Sequence, residues 1–208
     1  MTKYVIGFLV IFGLSCNDEQ TAAADRKPLP PSKDTNVVRP VAPNRYAAVD
    51  VSPMDMSYFP QNFPVAKMSG EGTDQPKARV TYSRPHRQGR NIFGSLVKYG
   101  EPWRLGANEA TEIEFFQPVT IQNRRVEKGR YVMYCIPQQD HWTLVLNSNL
   151  FTWGLRPDRS RDVASFNVPV QNESQSTEYF TMVFEQTASG ADLVIVWDTV
   201  AVRLPIQM

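Results

Sequence analysis

Cysteine and histidine are both scarce in this chain, with two of each among 208 residues. Cys16 and Cys135 are too few to build a framework of several disulfides. His86 and His141 stand apart, and no H-x-x-x-H, C-x-x-C or H-E-x-x-H spacing occurs, so no metal site is written into the local sequence. There is no G-x-S-x-G, and Cys135 lies in an apolar run, where a thiol behaves as a small hydrophobe. The net charge is only +1, which excludes bulk electrostatic attraction to nucleic acid. The glycines are not followed by a helix, as a phosphate cradle requires. Also lacking, beyond the N-terminus, are a sustained apolar stripe of helical period and any internal repeat.

What the chain does have begins with a hydrophobic leader. Lys3 precedes the run YVIGFLVIFGL, which is shorter than the roughly 20 residues of a spanning helix. Residues 1–15 therefore read as a lipoprotein signal peptide. The closing GLSC resembles a bacterial lipobox, with Gly13 at a position where Leu is commoner and Cys16 as the lipidated residue. Stable anchoring needs more than one acyl chain. Residues 16–65 read as a Pro-rich tether, containing KPLPPSK, VRPVAP and FPQNFP, that buries too little apolar surface to offset its ordering entropy. Met54, Met56, Tyr58, Phe59 and Phe63 make its end apolar enough to lie along the domain as a first ordered segment. Residues 66–208 form the domain.

Within that domain the apolar period is two. Val80 and Tyr82 alternate with Thr81 and Ser83, and Ile113 and Phe115 with Glu112 and Glu114. Residues 119–126 read as a hairpin turning at Asn123. GRYVMYCIP is apolar on both faces, and WTLVLN returns as its partner. Further strands are expected over residues 163–170, 178–184, 193–197 and 200–206, with turns at Ser189-Gly190 and Asp198-Thr199. Eight to ten short strands predict an all-β domain, an antiparallel β-sandwich or jelly roll.

The departure from this rhythm is residues 84–111, a loop far longer than usual between strands. Arg84, Arg87, Arg90 and Arg104 are interleaved there with Phe93, Trp103 and four glycines. Planar guanidinium groups suit carboxylate and phosphate, so one reading is a pocket for a polar or anionic ligand built from Arg84, Arg90, Trp103, Arg104, Asn108 and Glu109. The structural reading pairs Arg84 and Arg104 with Glu101 or Glu109 and uses Trp103 as a core plug. SRP with the following GR and IFG, then YGEPWRLGANEAT, then the later LVLN and WG, resemble the DUF2911 family of bacterial envelope proteins from about Ala78 to the C-terminus. That resemblance implies a fold and an envelope location, and no reaction.

The expectation is a membrane-anchored envelope lipoprotein. Its lipid lies in the outer membrane, on the periplasmic or the cell-surface face, and the protein acts as a non-catalytic binding or accessory module. Its contact is a small polar ligand or another envelope protein, with no nucleic acid and no cofactor or metal called for. Two alternatives come from other classes. One is a glycan or ester hydrolase using Glu109 as acid/base with His86 assisting, and the other is a structural subunit of an outer-membrane assembly.

Overall fold

The computed structural model describes Tyr46 and residues 48–208. The signal segment, Cys16 and the tether up to residue 45 lie outside the described residues. Nine strands form: β1 (Met54–Phe59), β2 (Ala78–Ser83), β3 (Thr111–Phe115), β4 (Val119–Ile121), β5 (Arg124–Val126), β6 (Gly129–Pro137), β7 (His141–Asn147), β8 (Asp162–Thr187) and β9 (Gly190–Gln207). A six-residue helix α1 (Phe63–Met68) follows β1, and a 3-10 turn (Arg159–Arg161) precedes β8. The strands join in one sheet of order β1-β2-β3-β6-β7-β8-β9-β4-β5, and every pairing is antiparallel. The all-β, antiparallel architecture read from the alternation is what the chain adopts.

Strand patterning explains most of it. In β3 the buried residues Thr111, Ile113 and Phe115 alternate with Glu112 and Glu114, which pair outward with Arg130 and Arg79. The central strand β6 buries Met133 and Cys135 on one face and Val132 and Tyr134 on the other, as its unbroken apolar run requires. The β4–β5 turn places Gln122 (φ 47°) and Asn123 (φ 63°) in the left-handed region, the type I′ geometry that matches strand twist.

Three boundaries differ from the sequence reading. The apolar end of the tether is edge strand β1, paired with β2 from Met54↔Ser83 to Phe59↔Ala78, so the sheet begins before residue 66. Its alternation is masked by the prolines on either side. The strands expected at 163–170 and 178–184 are one strand, β8, which runs extended through the polar NESQSTE, where only Asn172 and Thr177 keep β9 partners and the register shifts at Asn172/Thr177 and Thr177/Thr181. Likewise Asp198, read as a turn, is a single left-handed residue (φ 55°) inside β9.

These irregularities fold the sheet on itself. The first part of β8 pairs with β7 and the rest with β9, and the β8–β9 ribbon bends so far that Met208 N donates to Ser189 O at 3.0 Å. Phe180, Met182 and Phe184 then face β1 and β2, giving ring contacts Tyr82–Phe180 (5.7 Å) and Phe59–Phe184 (6.3 Å) between the layers.

Two buried phenols make the fold sensitive to alkali. Tyr134 donates to both carboxylate oxygens of Asp162 at 2.9 Å, and Tyr82 sits 3.4 Å from Asp55 Oδ2. Burial, the leading cause, pushes each pKa up to about 12. A folded pKa above the unfolded value means the stability is fully present below pH ~10 and lost as pH rises through ~12, about 2–3 kcal/mol for each tyrosine. Denaturation midpoints should fall across that window, and Tyr82→Phe should flatten part of the fall. Equal midpoints at both ends of the window would contradict this.

Candidate functional site

The long loop 84–111 is held to the sheet from both ends. After Ser83 the chain continues beside β8, with His86 bridging Tyr179, Phe180 N donating to Pro85 O at 3.0 Å and Arg87 N to Glu178 O at 2.8 Å. Trp103 then exchanges backbone hydrogen bonds with Cys135 at 2.8 and 2.9 Å. Its ring lies 5.1–6.1 Å from those of Phe93, Trp142, Phe180 and Trp197. Ile92, Val97 and Leu105 are buried in the same core, so the loop is a packed layer of the domain.

The RLGANEAT block is mostly backbone engineering. Leu105 (φ 58°) and Asn108 (φ 56°) are left-handed, and Thr111 Oγ1 ties the turn by donating to Leu105 O at 2.5 Å. A Cβ on Gly106 would stand 2.8 Å from Ser83 O, so only glycine fits against β2 there. The WG motif docks on this block. A Cβ on Gly154 would meet Ala110 Cβ at 2.9 Å and Arg104 Cβ at 3.0 Å, and the Trp153 ring lies 5.9 Å from the Arg104 guanidinium.

Around this junction lies a cavity of about 480 Å³, walled by Trp103, Arg104, His86, Arg90, Leu155 and Val51, with Trp197 behind. Among the described residues, no aspartate or glutamate lines it. Arg104 Nη1 is buried and has no hydrogen-bond partner among the described residues, and no carboxylate forms an ion pair with it. Burial pulls the Arg104 pKa below its usual value, and only the field of Glu109 opposes that shift.

The six residues proposed from sequence separate here. Arg90, Trp103 and Arg104 line the cavity together. Arg90 is already partly engaged, donating to Arg87 O at 3.0 Å and to His86 O. Arg84 serves the fold, because it donates to Phe180 O (3.2 Å), Asp55 Oδ2 (3.1 Å) and Thr181 Oγ1 (3.1 Å) and lies over Tyr179. Its carboxylate partner is Asp55, rather than Glu101 or Glu109. Asn108 clips the strap before β1, donating to Asp50 Oδ2 (2.7 Å) and Ser52 O (3.3 Å). Glu109 is exposed in a neighbouring cleft and shares no cavity with His86, whose ring packs 4.0 Å from that of Tyr179. Sequence reasoning did not reach Val51, Leu155 or Trp197, which lie far from the loop in the chain. The WG pair was the one available signal for Leu155.

Among the described residues, no three His, Cys, Asp or Glu side chains gather to hold a metal, and no helix is long and apolar enough to cross a membrane. Comparison with curated proteins and with solved structures returns no match. A family model described as "Protein of unknown function (DUF2911)" matches residues 64–206, which takes in the long loop, the WG turn and every strand after β1. On that match over most of its length, the chain belongs to the DUF2911 family.

Proposed function

We propose that this protein is a non-catalytic binding module, held at the outer membrane by a lipid on Cys16, and that it takes a small ligand with an anionic group beside Arg104. The observation that carries the ligand is Arg104 itself, which lines a cavity with no acid among its described lining residues and whose Nη1 has no hydrogen-bond partner among them. Native folds rarely leave a buried hydrogen-bond donor without a partner, and the partly buried Arg104 leaves one. A bound carboxylate or phosphate would supply what the fold withholds, and the planar fork of Arg suits either. The apolar wall of Trp103, Leu155 and Val51 would take the ligand's uncharged body. The anchor rests on the short apolar leader and the GLSC junction.

Two measurements test the two halves. Short-chain and aromatic carboxylates should raise the melting temperature of the soluble domain, while their amides should not. Arg104→Gln should remove this response, weakening carboxylate affinity about 10–100-fold. The same variant should leave the unliganded domain folded, since Arg104 is only partly buried and its Nη1 makes no hydrogen bond among the described residues. Unaltered carboxylate binding by this variant would overturn the ligand reading. For the anchor, Cys16→Ser should move the protein from the membrane to the soluble fraction of fractionated cells. Retention in the membrane would defeat it.

A further inference from the structure

Beside the basic cavity lies a second cleft of opposite character. It measures about 470 Å³ and is lined by Glu109 and Glu112 with Met54, Thr152 and Trp153 among others, and among the described residues no Lys, Arg or His lines it. The basic cavity, by contrast, is lined by Arg90, Arg104 and His86 and no acid. The two share a wall. Arg104 and Gly154 line the basic side, Ala110 and Trp153 line the acidic side, and these four residues are in mutual contact through the Gly154 backbone and the Arg104–Trp153 stack. The strap clipped by Asn108 runs along both, with Val51 and Ser52 in the cavity and Met54 in the cleft.

Each side holds one charge without a protein ion-pair partner among the described residues, the partly buried Arg104 and the exposed Glu109. Arg104 has no carboxylate partner, and Glu109 has no hydrogen bond or ion pair among the described residues, although its field reaches Arg104. Glu112 is partly engaged, 3.5 Å from Arg130 Nε. Arg104 and Glu109 line different clefts. What separates them is the wall of Trp153 and Gly154, an apolar saddle flanked by Leu155, which is 67% exposed, and Met54, which is 53% exposed.

Building on the anion reading above, we infer that the two clefts form one bipartite site for an elongated zwitterion, its carboxylate at Arg104, its ammonium at Glu109 and its apolar middle across the Trp153–Gly154 saddle. Short peptides with free termini and ω-amino acids share this chemistry. A carboxylate alone satisfies half the site, and an amine alone is repelled by the basic half. Oriented opposite charges at the two ends also fix the direction in which the ligand lies.

The test uses the full chain in detergent and titration calorimetry with defined probes. The ω-amino acids from γ-aminobutyrate to 8-aminooctanoate are compared with hexanoate and hexylamine, and trialanine with its N-acetyl and C-amide forms. One ω-amino acid length should bind roughly twofold to fivefold tighter than hexanoate, the scale of one added exposed ion pair. Glu109→Gln should erase that advantage without weakening hexanoate, because it removes a negative field that reaches Arg104, while Arg104→Gln should weaken both. The tighter of the two zwitterion series names the source, peptide or ω-amino acid. If hexanoate and every ω-amino acid bind alike, and Glu109→Gln changes neither, the zwitterion inference falls while the anion reading stands. If no carboxylate binds, or if hexylamine alone binds and Arg104→Gln leaves it unaffected, both fall.

Discussion

Gly190→Val is expected to abolish the folded domain. Gly190 closes the β8–β9 ribbon where it returns to the end of β9. A Cβ there would stand 2.2 Å from Ile206 O, 2.8 Å from Met208 N and 3.2 Å from Gln207 Cα. All three are backbone atoms, so no side chain can swing away to make room. Relief requires the ribbon tip to lift off the C-terminus, which breaks the Met208–Ser189 hydrogen bond and pulls Phe184 and Leu193 out of the core. A loss above about 5 kcal/mol falls in the exceptional class of single substitutions and rivals the whole stability of a typical domain. The expected result is insoluble protein, or a collapsed amide spectrum by NMR. A soluble, well-dispersed Gly190→Val domain would show that the ribbon does not need to close on itself.

How much of this was legible in the chain depends on how local the cause is. Alternation in β3 and β6 and the Asn123 turn depend on neighbours in sequence, and all three read correctly. The continuity of β8 did not read, because its middle is exposed and polar, and an outward ribbon carries no apolar period. β1 was hidden for a different reason: prolines at 53 and 60 bracket a strand of only six residues. The candidate site divides in the same way. Clustered Arg, Gly and Trp between residues 84 and 111 marked the region, and Arg104 with Trp103 does line a cavity. Composition could not say that Arg84 spends its donors on β8 and Asp55, or that Asn108 holds the strap, since both partners come from elsewhere in the chain. Which arginine is left without a partner is a property of the folded arrangement alone.

Trp103→Ala should separate a loop that forms part of the core from one that merely decorates it. Trp103 is the ring that touches all four of Phe93, Trp142, Phe180 and Trp197, and its backbone is bonded to Cys135 in the central strand. Truncating such an indole costs about 3–5 kcal/mol through lost transfer and the hole left behind. For a domain of this size, that lowers the melting temperature by roughly 10 °C or more. The hole would open into the basic cavity, since Trp103 is part of its wall, so the variant should also bind carboxylates more weakly even where it remains folded. Trp103→Phe keeps an aromatic ring against the cluster and should recover most of the stability. Binding should recover less, because the narrower ring leaves the cavity wall incomplete beside Arg104. A Trp103→Ala domain that melts within a degree or two of the parent would mean that the aromatic cluster stands without the loop. The cavity would then have no fixed wall, and a buried guanidinium on a movable loop could turn out to water and would have no need of a ligand to satisfy it.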